Sequence, residues 1–214
     1  MSQNDVQDSL KPLTDIHNPD RRSTFRIEDV HFALNQITLI ETVPAEVRQL
    51  FETAKNLSLY SWFVYRFHQP SELISFSALE MALRLRFKQE NPEKRAPTLG
   101  GLLRHASSHK WVENNRFSNR FESAFRNAEH RKFMELIQSG ALGNGEEVPV
   151  PAPTEAEIQK ALEELDEVGG ILKSAHKLRN DLAHGSDTLH PGSFTTLRRA
   201  AELINQTFSD RSDN

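Results

Sequence analysis

Apolar residues recur every three or four positions over most of this chain, and that interval commits it to helices. Val47, Leu50, Phe51, Ala54, Leu57 and Leu59 keep the spacing after Pro44, a residue suited to a first helical position. This first helix is expected to run to about Arg66, where His68-Gln69-Pro70 interrupts it. Ser71 is placed to cap a second helix through Phe87, with Ile74, Ala78, Leu79, Ala82 and Leu85 along one side. Thr98 opens a short helix, Leu99 to about Ala106, and Ser118 a longer one, roughly Asn119 to Gln138. Thr154-Glu155-Ala156-Glu157 has the form of a capping box, so another helix starts there. Ile158, Leu162, Leu165, Leu172, Ala175, Leu178 and Leu182 continue the spacing. Gly169-Gly170 is expected to kink or split that helix, and Gly185 to stop it. Pro191-Gly192-Ser193 leads into a last amphipathic helix bearing Phe194, Leu197, Ala201, Ile204 and Phe208. The expected fold is all-α, a bundle of five or six helices.

Residues 1–20 are polar, with Pro12 and Pro19, and read as a disordered or loosely held tail. An extension, 21–43, follows. In it Phe25, Ile27, Phe32, Leu34, Ile37 and Leu39 suit either short strands or a helix. One helical domain then spans 44–210, with a flexible loop at 139–153 rich in Gly and Pro.

Composition narrows the chemistry. Without cysteine there are no disulfides and no thiolate metal sites. No apolar run reaches membrane-spanning length and the N-terminus has no signal pattern, so a soluble cytoplasmic protein is expected, with no membrane partner. The net charge of -4 argues against indiscriminate binding of nucleic acid, but the charge is uneven. From Arg84 to Lys132 there are 12 Lys and Arg against 5 Glu, whereas from Glu146 to Val168 there are 8 acidic residues against Lys160 alone. The basic stretch reads either as a footprint for a polyanion or as a solvated helix face whose Phe117, Phe121 and Phe125 enter the core. Arg84, Arg86, Lys88, Arg104 and Lys110 are its candidate RNA contacts.

One short run carries candidate chemistry: Arg179-Asn180-Asp181-Leu182-Ala183-His184. It puts a permanent cation, an amide and a titratable imidazole within about a turn and a half of helix. The spacing of Arg and His is not special by itself, since Arg26 and His31, and Arg104 and His109, repeat it. The amide after the arginine, the position at a helix end and the following glycine set the third case apart. Asn180 and His184 share a helix face, while Arg179 lies nearer the apolar stripe. Two copies of the helix about a two-fold axis could therefore build a cleft that one copy cannot. The same residues also permit a structural role, with Arg179 paired to Asp181 or a neighbouring acid and His184 finishing the helix C-terminus. His105 and His109 stand four apart without a third ligand, so a surface or helix-end pair is expected there rather than a metal site.

Arg179-Asn180-x-x-x-His184, before a terminal helix in an all-helical chain, resembles the HEPN domain (higher eukaryotes and prokaryotes nucleotide-binding). Ser77-Ala78-Leu79-Glu80-Met81-Ala82-Leu83-Arg84 is similar to the family's upstream helix. Thr98-Leu99-Gly100-Gly101-Leu102 is similar to a segment often found between the two. The resemblance spans Pro44 to Phe208. It implies a metal-independent, cofactor-free endoribonuclease that acts on RNA as a homodimer, often as a toxin with an antitoxin or as an antiphage defence effector. In that reading His184 exchanges protons with the 2′-OH or the leaving oxygen, Arg179 grips the phosphate, and Asn180 orients phosphate or imidazole. Glu80 would orient Arg179, or is an ordinary surface carboxylate. The family also implies an alternative, an inactive scaffold that binds a nucleotide or a partner protein.

Overall fold

A computed structural model of the chain describes residues 9–139, 150–171 and 192–209. These residues are organised into helices: α1 (Ile27–Asn35), α2 (Ala45–Tyr60), α3 (His68–Glu90), α4 (Leu99–Ser108), α5 (Arg120–Gln138), α6 (Glu155–Glu164) and α7 (Ser193–Phe208). Single turns of 3₁₀ helix lie at Leu13–Asp15, Tyr65–Phe67 and Asn114–Arg116, and 167–171 are also helical. No strand occurs among the described residues, so the fold is all-α. None of their helices is long and apolar enough to cross a membrane.

The described chain divides into two compact units. One takes residues 9–81 and 192–201, the other 82–139, 150–171 and 202–209, so the division falls inside α3 and inside α7. In the first unit the apolar core includes Leu34, Val43, Val47, Phe51, Ala54, Leu79 and Leu197, each at most 3% exposed. The segment 24–42, for which strands and helix were both open, is helical at α1. Glu28 and Asp29 occupy its first turn, where carboxylates favour the positive helix end. The stretch before it is tied to the turn after α2. Asp20 N and Ser23 Oγ both donate to the Trp62 carbonyl at 2.8 Å, and Trp62 Nε1 donates to the Phe25 carbonyl at 2.8 Å.

Two boundaries differ from the expected ones. α2 stops at Tyr60 rather than near Arg66, and α3 begins at His68 rather than after Pro70. Proline is tolerated there because first-turn amides have no partner inside the helix in any case. Ser71 is consequently not a cap. It is fully buried, and its hydroxyl donates to the Ala54 carbonyl of α2 at 2.8 Å.

In the second unit α5 packs on α6 through Ala124, Ala128 and Ala161, flanked by Ile158 and Leu162. Small side chains at that contact let the helices approach closely. The capping box at α6 is formed as expected: Thr154 Oγ1 accepts from Glu157 N, while Thr154 N donates to Glu157 Oε2 at 2.6 Å. Asn119, rather than Ser118, precedes α5, and Ser118 instead donates to the Glu202 carboxylate through its N (3.0 Å) and Oγ.

The break expected at Gly169-Gly170 occurs earlier, at Leu165, whose backbone is extended. Asp166 restarts the helix, its Oδ1 accepting from Gly169 N at 2.9 Å. Both glycines therefore lie inside a helical turn. A Cβ at 169 would sit 1.9 Å from Asp166 Oδ2, so the capping side chain fills that space. Gly101 in α4 is similarly constrained, with Pro97 Cβ 2.7 Å from where its own Cβ would be.

Candidate functional site

The first unit buries a set of polar side chains along the apolar faces of its helices. Ser58 on α2, Ser71, Glu72 and Ser75 on α3, and Ser193 and Thr196 on α7 are all buried. Burial of a hydroxyl or carboxylate is tolerated only with hydrogen bonds. Here Ser58 Oγ lies 2.8 Å from Ser193 Oγ, which lies 2.7 Å from His68 Nδ1. Thr196 Oγ1 donates to Glu72 Oε2 at 3.2 Å, and Ser75 Oγ donates to the Ser71 carbonyl at 2.8 Å. His68 and Ser193 are the first residues of α3 and α7, so two helix starts meet at one hydrogen-bonded triad.

A cavity of about 450 Å³ opens onto that triad. Phe25, Trp62, Tyr65 and Phe194 supply aromatic wall, Val30 and Ala33 of α1 supply aliphatic wall, and Ser58, His68 and Ser193 form the polar floor. Arg22 stands at its edge. Its Nε and Nη2 each donate to the Asp20 carboxylate at 2.8 Å, and its guanidinium lies 4.6 Å above the Tyr65 ring centroid. The Arg22 hydrogen bonds hold the Asp20 carboxyl well below the usual carboxylate range, so the pair is a closed ionic contact. Ser193 has no exposed surface, so its hydroxyl serves to hold His68 rather than to attack a substrate.

The second unit contains the basic stretch, and packing divides it. Arg131 pairs with Glu164 at 2.7 Å and Lys132 with Glu157 at 3.0 Å, so α5 and α6 neutralise parts of the two opposed charge blocks against each other. Arg126 pairs with Glu122 of its own helix. Arg86 bonds Glu90 at 3.2 Å and lies 5.9 Å from the Trp111 ring, a packing role rather than that of a solvated cation. Arg84, Lys88, Arg104 and Lys110 are exposed, as are Lys94 and Arg95 of the same stretch. Lys110 has φ 57°, a left-handed turn after α4 that lets Trp111 N donate back to the Ala106 carbonyl and buries the indole. Phe117 is buried, whereas Phe121 is 65% exposed. Glu80 is half-buried on α3.

His105 and His109 form a stacked pair, ring centroids 3.7 Å apart, with Phe87 and Trp111 edge-on to His105. Burial, then the neighbouring His109, push the His105 imidazole below its ordinary value. Among the described residues no group of three His, Cys, Asp or Glu side chains could hold a metal ion.

Arg179, Asn180, Asp181 and His184 lie outside the described residues, as does Gly185. The site that sequence reasoning missed is the triad and its cavity. The signal was the cluster Ser71, Glu72 and Ser75 on the same face as Ala78, Leu79 and Ala82, which becomes meaningful only once that face is seen to be buried. Comparison of the chain with family models, with curated proteins and with solved structures finds no match in any of the three.

Proposed function

We propose that this protein is a HEPN-type endoribonuclease that cleaves RNA without a metal, as a homodimer, in a toxin or antiphage-defence role in the cytoplasm. The observation that carries the reading is Arg179-Asn180-x-x-x-His184 shortly before the last helix of an all-α chain. RNA supplies its own nucleophile, the 2′-OH. The protein then needs an acid–base group that works near neutral pH and a cation for the charge that builds on the phosphate. His184 and Arg179 have those properties, and Asn180 supplies an orienting amide. The exposed Arg84, Lys88, Arg104 and Lys110 suit a guiding role for a polyanion, through contacts that salt weakens.

The test is cleavage of labelled RNA in EDTA by wild type, Arg179→Ala and His184→Ala. The expected result is activity in wild type alone, with 2′,3′-cyclic phosphate ends on the products. Activity that requires added metal, or that survives His184→Ala, overturns the mechanism. On expression, wild type should slow growth and the two variants should not. Equal growth of all three would favour the silent scaffold.

A further inference from the structure

The cavity in the first unit combines two kinds of surface. Its walls present aromatic faces and edges from Phe25, Trp62, Tyr65 and Phe194, which favour a flat ring over a flexible chain. Its floor presents a half-buried imidazole, held from beneath through Nδ1 by a hydroxyl that also bonds Ser58. The imidazole can donate or accept, and so can the exposed Thr24 and Thr195 hydroxyls that also line the cavity, so the lining matches a ring edge that carries both kinds of group.

Charge narrows the ligand further. Among the described residues that line the cavity the one guanidinium, Arg22, is already bound by both carboxylate oxygens of Asp20, and the exposed Asp29 repels an anion. A volume of about 450 Å³ lies in the range of small-molecule sites and exceeds what a single ring needs.

We propose that this cavity binds an uncharged planar heteroaromatic ring with donors and acceptors along one edge, the chemistry of a nucleobase. Such a ring can come from a free nucleoside or from an unstacked base of single-stranded RNA. The inference stands on the cavity alone and does not depend on ribonuclease activity.

Trp62 provides the readout. The chain has two tryptophans, and Trp111 is buried at 2% exposure in the other unit, so Trp111→Phe leaves Trp62 as the sole reporter. That full-length variant is titrated with adenosine, guanosine, cytidine, uridine, a short single-stranded RNA, and ribose 5-phosphate as a control without a base. Saturable quenching by at least one nucleoside is expected, with little change in affinity between low and high salt. His68→Ala should weaken it about tenfold, the ratio for one lost hydrogen bond. Ala33→Phe should abolish it by filling the cavity without adding a second fluorescent reporter. Phe25→Ala, at a 74% exposed position that folding tolerates, should weaken it several-fold. Saturation by nucleosides identifies a free ligand, and saturation by RNA alone identifies a base of the polymer. The proposal fails if none of these probes saturates, if ribose 5-phosphate quenches equally, or if Phe25→Ala and Ala33→Phe both leave binding unchanged. Because binding is read without cleavage, a protein inactive on RNA leaves this test intact.

Discussion

Replacing Ser193 with alanine tests whether the buried triad holds the starts of α3 and α7 together. The hydroxyl at Ser193 makes two contacts, 2.8 Å to Ser58 Oγ and 2.7 Å to His68 Nδ1. Its removal strands the Ser58 hydroxyl, which is only 4% exposed, and a buried polar group without a partner costs about 1–3 kcal/mol. His68 is half-buried and water can reach it, so that bond adds the smaller net value of about 0.5 kcal/mol. Ser193→Ala should therefore destabilise by about 2 kcal/mol. With a urea slope of about 2 kcal/mol/M, the midpoint should fall by about 1 M at unchanged slope.

Ser58→Ala should cost less, about 1 kcal/mol, because Ser193 keeps His68 as a partner. The double variant should then cost less than the sum, with a coupling of about 1 kcal/mol. Additive costs, or a Ser193→Ala midpoint no lower than that of the exposed Ser108→Ala, would refute the triad as a structural tie.

Two glycines inside helical turns should respond in opposite directions to alanine. Gly101→Ala should destabilise by about 1–2 kcal/mol because the rigid Pro97 ring occupies the Cβ position, whereas Gly170→Ala, with open space around it, should stabilise by roughly 0.5–1 kcal/mol. Thermal melts of the two variants check the signs. Lys110→Gly should stabilise by about 1 kcal/mol by relieving a left-handed backbone, and on the proposed function it should weaken RNA binding and reduce its salt dependence. Hydrogen bonds from the Thr154 backbone and side chain, then from Lys132, lower the Glu157 carboxyl from its ordinary 4.5 to about 2. Because the folded value is the lower one, this contribution is fully present above pH 4.5 and is lost as the pH falls through about 2. Glu157→Gln should flatten the acid limb of stability over that window, and an unchanged limb in acid titrations would contradict the assignment.

The lesson of the comparison between chain and fold lies in which properties are local. Helical spacing, the Thr154 capping box and the amphipathic pattern of α7 depend on neighbours within a turn or two, and all were legible. The restart at Asp166 was not, because it also needs Asn114, which accepts from Val168 N at 2.9 Å across more than fifty positions of chain. Nor was the start of α3 at His68, since a proline in a first turn looks locally like a break.

By itself the sequence determined helices from Pro44 onward and a catalytic hypothesis resting on Arg179, Asn180 and His184. Tertiary structure alone decided how the charge blocks are disposed and where polar groups are buried. The basic and acidic stretches read as separate surfaces until α5 and α6 bring Arg131 to Glu164 and Lys132 to Glu157. Ser58, His68 and Ser193 are unremarkable apart in sequence, and become a cavity floor only when three helices converge. A hydroxyl's burial depends on what packs over it, and its partner lies up to 135 positions away along the chain, beyond the reach of any periodic pattern.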